Sequence, residues 1–236
     1  MNRTKFLPTL IATTTMLLAT TGKVEAITFA GTSSGSWGLP VVSAGAEYLS
    51  DENGGTNNRL TWGHSVAGSF TNYVQYDGLG FSTGVNTLFA VGDLTYRNGA
   101  TFNTFNGDFP LEVKLSFTNP FNSIENFNYT FNILNTPNYT GNPVLDGDKL
   151  QFQANGLTSD SFNFDGVNYT VKLIGFSSDG GNTFLSEFNS PEQSTAEAML
   201  YAEIIRADVV DVPEPTAIFG LGLLGVYLAG SLKTKP

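Results

Sequence analysis

The chain has 236 residues, with 11 basic and 21 acidic side chains, no cysteine and a single histidine. Residues 27–212 alone carry six basic and 19 acidic side chains, a net charge of −13, which excludes a positive surface for the phosphates of nucleic acid. Without cysteine the chain forms no disulfide and offers no thiol nucleophile, and a single histidine excludes a two-histidine metal site.

Residues 1–26 are predicted to be a secretory signal peptide. Arg3 and Lys5 precede a largely apolar stretch at 6–20, and small side chains occupy the −3 and −1 positions of a cut that follows Ala26. A basic start, an apolar middle and small residues before the cut are typical of the segment that signal peptidase removes. We therefore expect cleavage after Ala26.

Alternating apolar and polar residues predict an all-β body. Successive side chains of a strand point to opposite faces, so a period of two gives one face to the core and the other to solvent. The clearest runs place apolar residues at Leu111, Val113, Leu115 and Phe117, at Phe127, Tyr129, Phe131 and Ile133, and at Tyr169, Val171 and Leu173. Further strands are predicted at 70–76, 88–96, 149–153 and 199–206.

Turn signals separate these runs and favour a single antiparallel domain at 27–207. Paired Asx and glycine residues supply the positive φ angles of tight hairpins. They occur at Asp77-Gly78, Asn98-Gly99, Asn106-Gly107, Asp146-Gly147, Asp165-Gly166 and Asp179-Gly180. Residues 179–195 are predicted to be a loop insertion. The expected fold is an antiparallel β-sandwich, either jelly-roll or Ig-like.

The body contains no strong catalytic motif. His64 is the sole residue that could serve as the base of a serine hydrolase, but the sequence around it lacks a nucleophile elbow, and we interpret it as a partly exposed strand-end residue. The 19 acidic side chains leave a glycosidase-like carboxylate pair open as an alternative. No catalytic residue is predicted, and we expect the protein not to be an enzyme.

A calcium ion is the alternative to the absence of a cofactor, since the sequence contains several groups of oxygen ligands. Hard oxygen ligands occur at 51–58, at Asp146 and Asp148, and around Asp179. None of these segments matches an EF-hand loop, and loops of this composition are commonly hairpin turns. We therefore expect no bound cofactor and no dedicated metal ligand.

Aromatic residues raise the alternative of carbohydrate binding. The chain has 19 phenylalanines, which are the natural filling of a core without cysteine. Flat rings exposed on a sheet can instead stack on sugars. The rings considered for that role are Trp37, Trp62, Tyr73, Tyr76 and Tyr139.

Residues 208–236 are predicted to be a membrane-sorting segment. An uncharged, mostly apolar run at 217–232 is followed by Lys233 and Lys235. As a helix the run would reach ~24 Å, a short span for a hydrocarbon core of ~30 Å. Lysines at the far end favour the cytoplasmic side, so the body would face outwards.

Pro213, Glu214 and Pro215 stand directly before this run. The triplet, the glycine- and leucine-rich run and the basic end together resemble the C-terminal sorting signal of the bacterial PEP-CTERM family, although that family usually ends in arginines. The resemblance implies recognition by an exosortase, a membrane-embedded transpeptidase-like protease that would cut near the triplet.

Three segments of the body are similar to the choice-of-anchor K domain. They are GTSSGSWGLP at 31–40, RLTWGH at 59–64 and LFAVGDLTYRNGATF at 88–102. That family occurs on exported bacterial proteins with interchangeable anchors, and no activity comes with it. The two resemblances imply a protein of the cell envelope or the extracellular matrix, held transiently in the inner membrane, with a structural or adhesive role. The alternatives are an exopolysaccharide-binding module and, after that, a secreted hydrolase.

Overall fold

The computed structural model describes residues 26–40, 48–51, 57–152 and 161–207. These residues form strands and no helix, so the all-β prediction is confirmed. The strands are β1 (Thr28–Trp37), β2 (Tyr48–Asp51), β3 (Arg59–Trp62), β4 (His64–Ser65), β5 (Asn72–Gly78), β6 (Gly80–Gly84), β7 (Leu88–Asn98), β8 (Thr101–Phe102), β9 (Gly107–Asn119), β10 (Ser123–Leu134), β11 (Asp148–Phe152), β12 (Phe162–Phe164), β13 (Val167–Ser177), β14 (Glu187–Ser190) and β15 (Ser194–Arg206).

Most of these strands belong to two antiparallel sheets. The six-stranded sheet has the order β14-β11-β10-β9-β1-β6, and the seven-stranded sheet has the order β12-β13-β15-β7-β5-β3-β2. Strands β4 and β8 pair separately. Strands that are distant in the chain are neighbours in both sheets, because β1 pairs with β9 and β7 pairs with β15.

The alternation of apolar and polar residues explains why the longest strands bury one face and expose the other. In β9 the apolar side chains from Phe109 to Phe117 are buried, whereas Glu112 and Lys114 between them are exposed. Strand β10 pairs along this length and buries its own four predicted apolar residues. Each fully buried apolar side chain stabilises the fold by about 1.5–3 kcal/mol. The three alternating runs are therefore confirmed as strands.

The inner faces of the two sheets pack on one aromatic core. The ring of Phe29 in β1 lies 5.2 Å from that of Tyr169 in β13. The hydroxyl of Tyr129 in β10 donates a hydrogen bond to the carbonyl of Val171, at 2.9 Å. Phenylalanine dominates the remaining ring contacts across the core, as expected for a body that has no disulfide to stabilise it.

The chain passes from one sheet to the other between β5 and β6. Leu79 separates these strands, and its amide and carbonyl both bond to Ser33 of β1 at 2.8 Å. A Cβ atom at Gly78 would lie only 1.9 Å from the carbonyl oxygen of Ser33, so glycine is required for this close approach. The predicted hairpin turn at Asp77-Gly78 is thus wrong, since both residues end β5.

The ring of Tyr76 lies between glycines of both sheets. A Cβ atom at Gly35 of β1 or at Gly92 of β7 would lie 2.3 Å from this ring. The Tyr76 hydroxyl donates to the carbonyl of Val91, and the side chain is buried. Burial raises the pKa of Tyr76. The two glycines therefore allow the sheets to approach each other around one phenol.

The predicted loop at 179–195 contains regular structure. Glu187–Ser190 forms β14, which pairs with β11, and β15 already begins at Ser194. Strand β14 is short, and Pro191 directly after it carries a turn signal, so its alternation is hard to recognise in the sequence. The predicted turn at Asp165-Gly166 is confirmed, because both residues have positive φ angles of 50° and 76° between β12 and β13.

We expect Gly92→Ala to destabilise the protein by about 1–3 kcal/mol, since the new methyl group would overlap the buried Tyr76 ring. Gly80→Ala is the matched control, because the nearest atom to its Cβ is 3.9 Å away. The control should change stability by no more than about 0.5 kcal/mol. Urea unfolding of the full chain measures both variants, and equal effects would contradict the proposed role of Gly92.

Candidate functional site

Most of the sequence-predicted sorting residues lie outside the described residues. These are Pro213, Glu214, Pro215, Lys233 and Lys235, together with the predicted apolar segment at 217–232 and the signal peptide as far as residue 25. Ala26, the predicted cleavage position, is exposed two residues before the start of β1. Among the residues that the structure describes, none forms a helix with the length and apolar character needed to cross a bilayer.

Both ends of the described body meet at one pole, which we call the terminal pole. Ala26, Ile27 and Arg206 line one surface cavity together with residues 84–87. The amide of Asn86 donates to the carbonyl of Ile204 at 2.8 Å, which fixes the end of β15 beside the β6–β7 connection. The segments that precede β1 and follow β15 therefore leave from the same side of the body.

The opposite end, which we call the loop pole, is formed by residues 38–40, 63–71, 99–106, 135–147 and 191–193. The strand registers place these segments together, because β1, β7 and β10 end here and β9, β11 and β15 begin here. The five segments contain no lysine or arginine. They expose the large apolar side chains Leu39, Phe102, Tyr139, Val144 and Leu145.

A pocket of about 160 Å³ opens at the loop pole, and we call it the polar pocket. Its walls come from the end of β7, the start of β5, the start of β11 and the loops beside them. Amides, hydroxyls and carboxylates dominate the lining, which includes Asn72, Asn98, Thr136, Asn138, Asp148 and Glu192. Hydrogen-bonding groups therefore converge on a small volume.

Three of these polar side chains are almost completely buried and are positioned by neighbours. Asn72, Asn98 and Asp148 are 1 %, 1 % and 2 % exposed. The Oδ1 atom of Asn72 accepts from the amide of Gly99 at 2.6 Å. The Nδ2 atom of Asn98 donates to the carbonyl of Ser190 at 3.0 Å. These bonds fix the orientation of both amides in the wall of the pocket.

The carboxylate of Asp148 accepts two hydrogen bonds from different elements. The amide of Thr136 donates to Oδ1 at 2.7 Å, and the hydroxyl of Tyr96 donates to Oδ2 at 3.3 Å. Burial raises the pKa of Asp148 to about 6, the two hydrogen bonds oppose the rise, and the charge of Glu192 adds to it. Burial also raises the pKa of Glu192. The polar pocket therefore holds two carboxyl groups that are costly to ionise.

A second cavity, which we call the outer groove, lies on the seven-stranded sheet and has a volume of about 520 Å³. Asp77, Asp93 and Glu197 line it, and Asp77 and Asp93 are direct cross-strand partners. Burial raises the pKa of Asp93, and the charges of Asp77 and Glu197 raise it further. Like charges at this spacing destabilise the sheet locally.

Two arginines of the seven-stranded sheet bracket one tyrosine. The guanidinium carbons of Arg59 and Arg97 lie 4.4 Å and 4.5 Å from the centre of the Tyr73 ring. Arg59 donates through Nε to Gln75 at 2.9 Å, and Gln75 donates to Asp77 at 2.5 Å. The two guanidinium groups cover the Tyr73 ring. The hydrogen bonds from Arg59 to Gln75 and from Gln75 to Asp77 connect one guanidinium to the acidic outer groove.

The structure changes the set of rings that could stack on a sugar. Trp37, Trp62 and Tyr76 are buried in the core, so they do not present a face to solvent. Tyr73 is covered by arginines, and only Tyr139 of the five sequence candidates is freely exposed, at 81 %. The alternative of sugar stacking therefore does not apply to the three buried rings, because an aromatic residue at an inward position of a strand fills the core.

The suggested calcium ligands serve local loop structure. Asp146 accepts from the amides of Thr140 and Gly141 at 3.0 Å and 2.9 Å, and Asp179 bonds to the amides and side chains of its own loop. Within the ranges that the structure covers, no group of three or more histidine, aspartate or glutamate side chains is arranged to hold a metal ion. Residues 52–56, which belong to the suggested segment 51–58, lie outside those ranges.

Sequence reasoning missed the polar pocket. Asp146-Gly147-Asp148 was interpreted as a turn or a cation loop, and Asn98-Gly99 as a turn alone. The only local signal was a polar residue at the inward position of a strand, as at Asn98 after Leu94 and Tyr96. His64 is exposed in the short strand β4, in agreement with its interpretation as a strand-end residue.

A scan of the chain against models of protein families finds no match, and a search of curated proteins finds no similar sequence. The resemblances to the PEP-CTERM family and to the choice-of-anchor K domain therefore depend on the quoted residues alone.

We expect the stability of the protein to rise as the pH falls from 7 to 4, because the folded-state pKa of Asp148 is raised. The unfolded-state value is about 3.9, so the contribution is complete below that value and is lost as the pH rises through about 6. Asp148→Asn should reduce this dependence, leaving the smaller part that comes from Glu192 and Asp93, and should stabilise the protein at pH 7 by about 1–3 kcal/mol.

The matched control is Asp165→Asn, which changes an exposed aspartate in a turn that asparagine also tolerates. The stability of this variant should depend on pH in the same way as that of the parent protein. Urea unfolding at a series of pH values measures all three proteins, and a flat profile for the parent would contradict the assignment to Asp148.

Proposed function

We propose that the protein is exported, that signal peptidase removes residues 1–26, and that an exosortase cuts it near Pro213, Glu214 and Pro215. Its mature form acts in the cell envelope or the extracellular matrix in a structural or adhesive role, without a catalytic step. The observation that carries this proposal is the fixed order of triplet, apolar run and lysines over residues 213–235. The basic and apolar start of the chain supports it independently.

The terminal pole fits such a route. Because Ile27 and Arg206 line one cavity, a body held by residues 208–236 would turn its loop pole away from the membrane. The lysines at 233 and 235 favour the cytoplasmic side, which leaves the acidic body outside. The exposed apolar residues of the loop pole would then face possible partners rather than the lipid.

We further infer that the two sheets form a β-sandwich. Two antiparallel sheets with inward apolar faces commonly pack in this way, and the ring contacts between β1 and β13 support it. The jelly-roll and Ig-like variants stay predictions, and so does the similarity to the choice-of-anchor K domain.

Carbohydrate binding is the second candidate function, and the polar pocket is the observation that favours it. Sugar sites combine a few fixed polar groups with exposed rings, and the pocket has buried amides and the buried carboxyl group of Asp148, while the exposed Tyr139 follows the lining residue Asn138 in the chain. A secreted hydrolase comes third, supported by the paired carboxyl groups of Asp77 and Asp93, since glycosidases use two such groups.

The sorting proposal predicts the mass of the mature protein. When the full chain is expressed in a bacterium with an exosortase, its first residue should be Ile27 and its last should lie near residue 215. In the same strain without the exosortase, residues 216–236 should remain attached. Intact-mass spectrometry of envelope and medium fractions measures both ends together.

Replacement of Pro213, Glu214 and Pro215 by alanine should leave the C-terminal segment attached in the strain with the enzyme, whereas Thr234→Ala should be processed as the parent is. Recovery of the chain with Met1 from the cytosol would contradict export. Identical processing of the triple variant and the parent would contradict recognition of the triplet.

A further inference from the structure

The polar pocket is lined by buried polar side chains in fixed orientations. Asn72, Asn98 and Asp148 are each at most 2 % exposed, and each is held by hydrogen bonds to neighbouring elements. A cluster of such groups around an open volume is typical of a binding site that is fixed in advance.

The hydrogen-bonding inventory of the pocket fits hydroxyl groups. Asn72 and Asn98 are bonded within the wall, and the exposed amide of Asn138, which also bonds to Glu192, can both donate and accept, whereas the carboxylates of Asp148 and Glu192 only accept. A sugar hydroxyl both donates and accepts, so it can satisfy either kind of partner. Asp148 has about four acceptor positions, and Thr136 and Tyr96 use two of them.

Charge restricts the class of sugar. The segments of the loop pole contain no lysine or arginine, and the pocket itself carries Asp148 and Glu192. Lys149, the nearest cation in the chain to Asp148, is paired with Glu187 at 2.6 Å on the outer side of β11. Inside the pocket a uronate, sulfate or phosphate group would meet the carboxylates of Asp148 and Glu192, whereas Arg97, the cation that reaches the loop pole, is bonded to the carbonyl and hydroxyl of Thr71. The favoured ligand is therefore uncharged.

Two exposed rings directly follow pocket-lining residues in the chain. Tyr139 follows the lining residue Asn138 and is 81 % exposed, and Phe102 follows the lining residue Thr101 and is 65 % exposed. Exposed rings of this size have an apolar face that can cover the flat side of a sugar. The pocket volume of about 160 Å³ is below the ~300–1,000 Å³ of sites for drug-sized ligands, so it suits one sugar unit of a longer chain.

From these observations we propose that the polar pocket binds a single neutral sugar unit of a polysaccharide, with Asn138 and Asp148 bonding its hydroxyls and Tyr139 stacking on its ring. This inference rests on carbohydrate binding as the second candidate function, and it is independent of the proposed export route. It assigns the contact to the loop pole, which is the end of the body away from both terminal segments.

The test uses the full chain purified in a detergent without sugar head groups. An array of neutral and anionic polysaccharides is screened first, and calorimetric titration with a captured neutral polysaccharide follows. The variants are Asn138→Ala and Tyr139→Ala, both at exposed positions, so that folding is preserved. Ile124→Ala is the control, because Ile124 is exposed at the terminal-pole end of β10.

We expect capture by neutral polysaccharides, a dissociation constant about tenfold weaker for each pocket variant, and no change for Ile124→Ala. Glycan binding that the pocket variants leave unchanged would overturn this assignment while carbohydrate binding stands. Absence of capture, or capture by anionic polysaccharides alone, would overturn both the assignment to the polar pocket and carbohydrate binding as a function. A melting temperature that calcium alone raises in the parent but not in Asp148→Asn would identify a cation site instead.

Discussion

The distance between the two sheets depends on the ring of Tyr76. This phenol fills the space between Gly35 of the six-stranded sheet and Gly92 of the seven-stranded sheet, and no side chain fits at either glycine. Ser33, two residues before Gly35, bonds to both the amide and the carbonyl of Leu79, where the chain changes sheets. The Tyr76 ring and the Ser33 bonds therefore lie together where the two sheets approach each other and the chain crosses between them.

Strand periodicity was sufficient to predict the long strands, because β9, β10 and β13 bury one face and expose the other. It failed where tertiary contacts outweighed local signals. Asp77-Gly78 has the composition of a hairpin turn, yet Gly78 is there because Ser33 comes too close for a Cβ atom. Strand β14 has only four residues, and its pairing with β11 depends on residues about 40 positions away in the chain.

The site was less predictable than the fold. Asn72, Asn98 and Asp148 come from three strands, and each alone has the appearance of a turn or strand-end residue. Only the pairing of β5 with β7 and the position of β11 bring them together. Conversely, Trp37 and Trp62 attract attention as possible sugar platforms, although both complete the core. Composition identifies the side chains that are present, whereas register decides which of them meet.

Because both ends of the described body lie at the terminal pole, the order in which the strands are connected can change while their packing stays the same. A short linker from Arg206 to Ile27 would close the body into a ring without moving a strand, since both residues border one cavity. New ends opened within residues 135–147 would keep every strand pairing in both sheets. Such a circular permutant would be tethered by its loop pole, and the same β architecture would present its opposite face to the surroundings.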